Sequence, residues 1–163
     1  HGLPENVIRD GDPYQWQCEQ SAAAIAAQTG IADLDWTVCY QSRVGPRHWI
    51  GPSTEEELRR AARDRVPVVV YPHAFTQEHV ETLVEIEIEY RELAHEIGVP
   101  GFYRVPAVGA APGFIAALAD LVKARVNDDR VCADGGERLC PQQFRRCCMK
   151  MPVGAQEHDG FSS

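Results

Sequence analysis

Val66-Pro-Val-Val-Val-Tyr71 and the run close behind it, Phe75-Thr-Gln-Glu-His-Val-Glu-Thr-Leu-Val-Glu-Ile-Glu-Ile-Glu-Tyr90, form the stretch on which the fold turns. The first run is apolar on both faces, the mark of a central strand in a parallel sheet. The second reads as an acidic helix from about 77 to 97, closed by Gly98. A buried strand passing through a short turn into a helix is the first half of a β-α-β unit. Phe102-Tyr-Arg-Val105 completes that unit as a second strand, and a further helix over 112–126 begins at Pro112.

Upstream, the same alternation holds. Asp12-Pro13 pairs an N-cap with a proline at the first helical position, and Gly30 suits the C′ position, so 13–29 reads as a helix. Trp36-Thr-Val-Cys-Tyr-Gln41 is a short β-rich run. Ser53 with Glu56 has the capping-box form and starts a helix to about Arg63. Helices alternating with strands specify an α/β fold, a doubly wound parallel sheet with right-handed crossovers. Its ligands are expected beyond the carboxyl ends of the strands, at loops 41–52, 72–78 and 106–112. From about residue 127 the apolar period stops, so residues 1–126 are expected to form one lobe and 127–163 an irregular C-terminal extension.

Composition narrows the function. A chain of 163 residues, 44% hydrophobic, can bury one sizeable core. A net charge of -8 argues against nucleic acid and anionic membrane surfaces as partners. No apolar run approaches the roughly 18 residues of a spanning helix. The chain opens on His1 and a Gly-Leu-Pro turn, which reads as a piece of something longer or processed. Cys18 and Cys39 sit singly in apolar surroundings and are expected to be buried, inert thiols. Cys132, Cys140, Cys147 and Cys148 crowd into the extension. Disulfides would need an oxidising compartment, which nothing upstream suggests, so metal or cluster ligation in a reducing cytoplasm fits better.

The acidic stretch carries the chemistry. Crowded carboxylates raise one another's pKa and attract cations. Lys or Arg would ordinarily be interleaved at helical spacing, yet the first base here is Arg91. Glu81, Glu85 and Glu89 recur every four residues along one helix edge, and a local π-type turn would re-aim that ladder. Two readings stand: a solvated acidic face, or a row that passes protons or cations between a pocket and solvent. His1 and His79-x-Glu81 supply the imidazole–carboxylate pairing suited to proton abstraction near neutral pH, or to a divalent first-row metal. His48, His73, His95 and His158 read as structural. The Gly- and Pro-rich loop at 44–52 has no phosphate-binding pattern, and its Trp49 offers a flat apolar surface, either a rigid-loop element or a stacking face.

Taken in order, His1-Gly-Leu-Pro4, Gly11-Asp-Pro-Tyr14, Tyr40-Gln-Ser-Arg-Val-Gly-Pro46, Trp49-Ile-Gly-Pro52, Pro72-x-Ala-Phe75, Glu78-His-Val-Glu-Thr-Leu83 and Glu89-Tyr90 resemble ferrochelatase over about residues 1–126. The form Gln-Ser-Arg-Val-Gly-Pro is closer to the protoporphyrin-using enzymes of proteobacteria and mitochondria. The resemblance implies insertion of ferrous iron into protoporphyrin IX, with His1 and Glu81 facing the porphyrin centre. It implies an outward proton or metal path through Glu78, His79, Glu85 and Glu89, and porphyrin contacts at Ser42, Arg43 and Trp49. Two positions depart from the usual pattern. Glu78 replaces an Asp, and His73 replaces an aliphatic residue, adding either a metal-side imidazole or a coil histidine. The resemblance also implies a first lobe that builds the other wall of the cleft, so this chain alone is expected to lack a complete pocket and to be inactive. Peripheral membrane association is common in that family, although no Lys-rich amphipathic segment is present here.

Many members of that branch carry a 2Fe–2S cluster on a C-terminal extension. Cys140-x6-Cys147 resembles its spacing, with Cys148 and Cys132 as further candidate ligands. A structural zinc or unligated thiols are the alternatives. Two other functions compete with the favoured one: a chelatase for another tetrapyrrole or metal, and a non-catalytic haem- or iron-binding module on the same scaffold.

Overall fold

The computed structural model describes residues 1–42, 45–127 and 137–149. Its elements run α1 (Glu5–Arg9), α2 (Tyr14–Gln28), α3 (Thr54–Asp64), β1 (Val68–Val70), a π-helix (Glu81–Tyr90), α4 (Arg91–Glu96), β2 (Phe102–Arg104) and α5 (Pro112–Arg125). The fold is α/β. Strands β1 and β2 pair in parallel with Val69 opposite Tyr103, and the π-helix and α4 form the crossover between them.

Local chemistry explains most boundaries. Ser53 Oγ accepts the Glu56 amide at 3.1 Å while Glu56 accepts the Ser53 amide at 2.6 Å, the reciprocal capping box that starts α3. Asp12 accepts the Tyr14 amide at 2.9 Å at the head of α2. Gly98 takes φ +82°, in the left-handed region that costs glycine nothing, and its amide closes the last turn on His95.

The expected strand over Trp36–Gln41 does not form. Only Tyr40 pairs, in a single bridge to Ser53. The opposing segment holds Pro52, which accepts the Tyr40 amide but has no N–H to donate, and α3 begins at Thr54, so the ladder cannot lengthen. The acidic helix also differs from expectation. Residues 77–79 are loop, 81–90 wind as a π-helix behind Val80, and 91–96 are α.

The core lies in two clusters. Leu58, Ile86, Tyr90, Ala94 and Phe102 pack with Val68 and Val70 between α3, the crossover and the sheet. Cys18, Tyr40 and Ile50 pack with Leu3, Ile8, Tyr14 and Val38 beneath the N-terminal turn. Cys18 is buried and Cys39 half-buried, and burial pushes both thiols up, as expected of inert cysteines. The sheet is packed on one face only. Val69 is 70% exposed and Tyr103 62%, so the apolar run that reads as a two-sided strand is left open on one side. No helix of the described residues is long and apolar enough to cross a membrane.

Residues 137–149 pack on the α1–α2 turn. The Arg146 amide donates to Gly11 O at 3.0 Å, and Phe144 meets Trp16 with ring centroids 6.0 Å apart. Gly11 (φ +95°) is required there, since a Cβ would stand 2.8 Å from the Arg145 nitrogen.

Candidate functional site

The site begins with the N-terminal turn. Residues 3–5 lie antiparallel to 48–50: the Ile50 amide donates to Leu3 O and the Glu5 amide to His48 O, both at 2.9 Å. Tyr14 Oη donates to the His1 carbonyl at 2.8 Å. These bonds hold His1 where its Nε2 contacts Glu81 Oε1, across 80 residues of sequence. The His1 side chain is 49% exposed and that of Glu81 28%, so the pair sits at a mouth, half in solvent. An imidazole and a carboxylate in contact can share a proton and can offer lone pairs to a metal ion.

His79 shapes the turn into the π-helix. Its Nδ1 accepts the Glu81 amide at 3.2 Å, which places its ring proton on Nε2 in the neutral form. The 3.5 Å approach of Glu81 Oε2 to the same Nδ1 is therefore no hydrogen bond in that tautomer. The His79 ring rests 4.7 Å from that of Phe75. Within the π-helix, i→i+5 bonding brings residues four and five apart to one side. Thr82, Ile86 and Tyr90 are buried there, and Tyr90 Oη donates to Glu85 Oε1 at 3.0 Å. Burial and the Glu85 carboxylate push the Tyr90 hydroxyl far up, so it stays a donor.

The carboxylates divide. Glu78 accepts Arg104 Nη1 at 2.8 and 3.1 Å and the Ala107 amide at 2.9 Å. The Thr82 hydroxyl, then Arg104 and Ala107, hold its carboxyl down at about 2. Glu87 takes Arg104 Nε at 2.8 Å and Arg91 Nε at 2.9 Å, and is likewise lowered, chiefly by Arg104. The expectation that crowding raises each carboxylate is thus reversed at Glu78 and Glu87, because guanidinium donors from β2 and α4 outweigh mutual repulsion. Glu85 accepts from Gln41 Nε2, the Ser42 amide and Ser42 Oγ at 3.0, 3.0 and 2.5 Å. Glu89 is exposed at the far end of the row.

A cavity of about 70 Å³ is lined by His1, Gln41, Tyr71–Phe75 and Ile86, among others, in the loop after β1. That is the carboxyl end of a strand, where α/β folds place ligands. His73 lines it too, and burial lowers its pKa, so the histidine read as structural is a neutral wall residue here. A larger, open concavity of about 650 Å³ spans Glu5, Gly45–Pro52 and Glu56 and includes half-buried Trp49, but it shares no residue with the His1–Glu81 pair. Of these two concavities, the smaller adjoins both the His1 imidazole and the end of β1. Arg43 lies outside the described residues.

Among the described residues no three His, Cys, Asp or Glu side chains converge on a point that could hold a metal. Gln17 Nε2 donates to Cys140 Sγ at 3.7 Å. Burial and the neighbouring Cys147 raise Cys140; burial opposes, but the Met149 amide, Cys140 and Arg138 outweigh it, lowering Cys147. Cys148, adjacent to Cys147 and exposed, does not complete a set with them, and Cys132 lies outside the described residues. Cys140, Cys147 and Cys148 by themselves do not supply the four thiolates of a 2Fe–2S cluster or a four-cysteine zinc.

The sequence pointed to His1, His79, Glu81 and the acidic row, but not to Gln41, Tyr90 or Arg104. Nothing in sequence spacing links Arg104 to Glu78, 26 residues away.

Residues 1–126 match the family model described as Ferrochelatase. A ferrochelatase of Caulobacter vibrioides is 56% identical over 126 residues, covering 77% of this chain and 36% of that protein. One of Hyphomonas neptunium is 49% identical over 150 residues, 90% of this chain and 41% of its own length. One of Rickettsia conorii is 38% identical over 154 residues, 93% and 45% respectively. The chain thus spans less than half the length of these curated relatives.

Proposed function

The chain belongs to the ferrochelatase family, and from that premise we propose that it forms the C-terminal part of an enzyme that inserts ferrous iron into protoporphyrin IX. The observation that supports this most is the contact of His1 with Glu81 beside a cavity at the end of β1. Each insertion replaces two pyrrole N–H protons with one Fe²⁺, so two protons must leave. The His1–Glu81 pair is the local acceptor, with one face open to solvent where the protons depart. Trp49 and Ser42, with Arg43, are the proposed porphyrin contacts from this side. In the outward row, Glu78 serves as a fixed charge: with its carboxyl held near 2 it is too weak a base to relay protons near neutral pH. His79 orients the turn that carries Glu81, and Glu89 leads to solvent. The first lobe is the proposed partner that closes the cleft, and a cytoplasmic setting accords with this reading.

The test is anaerobic ferrous-iron insertion into protoporphyrin IX, followed by absorbance, with and without the matching first lobe. Turnover only with the lobe present supports a half-enzyme. Porphyrin binding without turnover in either state would assign a binding module instead, and faster insertion of another divalent metal in competition would assign a different chelatase.

A further inference from the structure

Glu85 lies in the acidic row, yet its surroundings differ from those of every other carboxylate there. It accepts from four donors: Gln41 Nε2, the Ser42 amide, Ser42 Oγ and Tyr90 Oη. An ionised carboxyl has about four lone-pair sites, so this one has none left for an arriving cation or proton. Three of the four donors come from one segment, Gln41–Ser42, more than 40 residues away in sequence. Ser42 has φ +58°, a left-handed conformation unfavourable for a residue with a Cβ. Both its amide and its hydroxyl are spent on Glu85, which holds that conformation. Gln41 is buried and lines the same cavity as His1. The π-helix supplies the geometry, since Tyr90, five residues on, reaches the Oε1 that also takes the Ser42 amide.

We propose that Glu85 is a positioning residue. It locks the Gln41–Ser42 segment beside His1 and sets porphyrin affinity, and it does not relay protons or iron. The porphyrin part rests on the function proposed above; the anchoring part does not.

Two variants separate these roles. Glu85→Ala removes every bond, whereas Glu85→Gln removes the charge but keeps an acceptor for the Ser42 amide. Hydrogen exchange on the chain alone reads the anchor. Glu85→Ala is expected to speed Ser42 amide exchange about tenfold, with the Val68 amide, bonded to Gly101 O at 2.8 Å, unchanged as the control. Iron insertion with the first lobe present reads the role. Glu85→Ala should raise the porphyrin KM about tenfold with little change in kcat, and Glu85→Gln should recover to within about threefold of the parent. Unchanged Ser42 exchange in Glu85→Ala overturns the anchor. A fall in kcat as deep in Glu85→Gln as in Glu85→Ala overturns the positioning role and puts Glu85 in the relay. Absence of turnover in the parent would count against the proposed function, while the exchange result would still decide the anchor.

Discussion

On its Arg104 side the acidic stretch is an ion-pair lattice; on its His1 side it is a row of carboxylates with no Arg or Lys partner among the described residues. Glu78 and Glu87 share Arg104, whose side chain is 10% exposed, and Arg91 adds a second guanidinium to Glu87 while lying 5.0 Å over the Phe102 ring. Glu81 has an imidazole, and Glu85 has neutral donors. One sequence block with one density of charge therefore divides into a part that staples the crossover to β2 and a part that meets His1 and the Gln41–Ser42 segment. Charge density alone predicts neither role. The partner that each carboxylate finds decides whether its negative charge is consumed in structure or kept for a proton or a metal.

Three experiments press on that division, in order of expected effect. Arg104→Met should strip both Glu78 and Glu87 of their shared cation and destabilise the fold by about 2 kcal/mol, a figure kept small because both carboxylates are about one-third exposed. Urea unfolding reads it, and an unchanged midpoint would mean the lattice is ornamental. Acid titration comes next. Glu78 falls from the usual 4.5 to about 2 on folding, so its contribution is fully present above pH 4.5 and fades as pH drops toward 2. The parent should lose stability across that window, and Arg104→Met should lose less of it. The smallest effect belongs to Glu89, exposed at the end of the row: Glu89→Gln should shift stability by no more than about 0.5 kcal/mol in the same unfolding assay.

What the sequence made legible was whatever is decided locally or by long ordered motifs. Ser53 with Glu56, Pro112 and Gly98 mark helix ends because capping involves neighbours. The parallel pairing of β1 with β2 follows from two apolar runs separated by a helix-length crossover. The His1 and Glu81 motifs were recognisable one by one, and the structure brings them into contact. Three features were hidden for physical reasons. A β-rich composition at Trp36–Gln41 cannot supply a ladder when its partner contains Pro52 and then turns into a helix. The extent of the π-helix depends on Thr82, Ile86 and Tyr90 all seeking the core, which is a tertiary demand. Pairing across 26 residues, as from Arg104 to Glu78, leaves no periodic trace at all. The cysteine spacing names candidate ligands only, because spacing fixes which thiols exist in a segment and not how many converge on one point, and Cys132 lies outside the described residues.

The most direct measurement is kcat for iron insertion, with the first lobe present, in Glu81→Gln and Glu78→Gln side by side. Glu81→Gln should lower kcat about a hundredfold or more, with its unfolding midpoint unchanged. Glu78→Gln should lower the midpoint and leave kcat within a few-fold of the parent. The reverse pattern, turnover surviving without Glu81 and collapsing without Glu78, would contradict the division between the two sides.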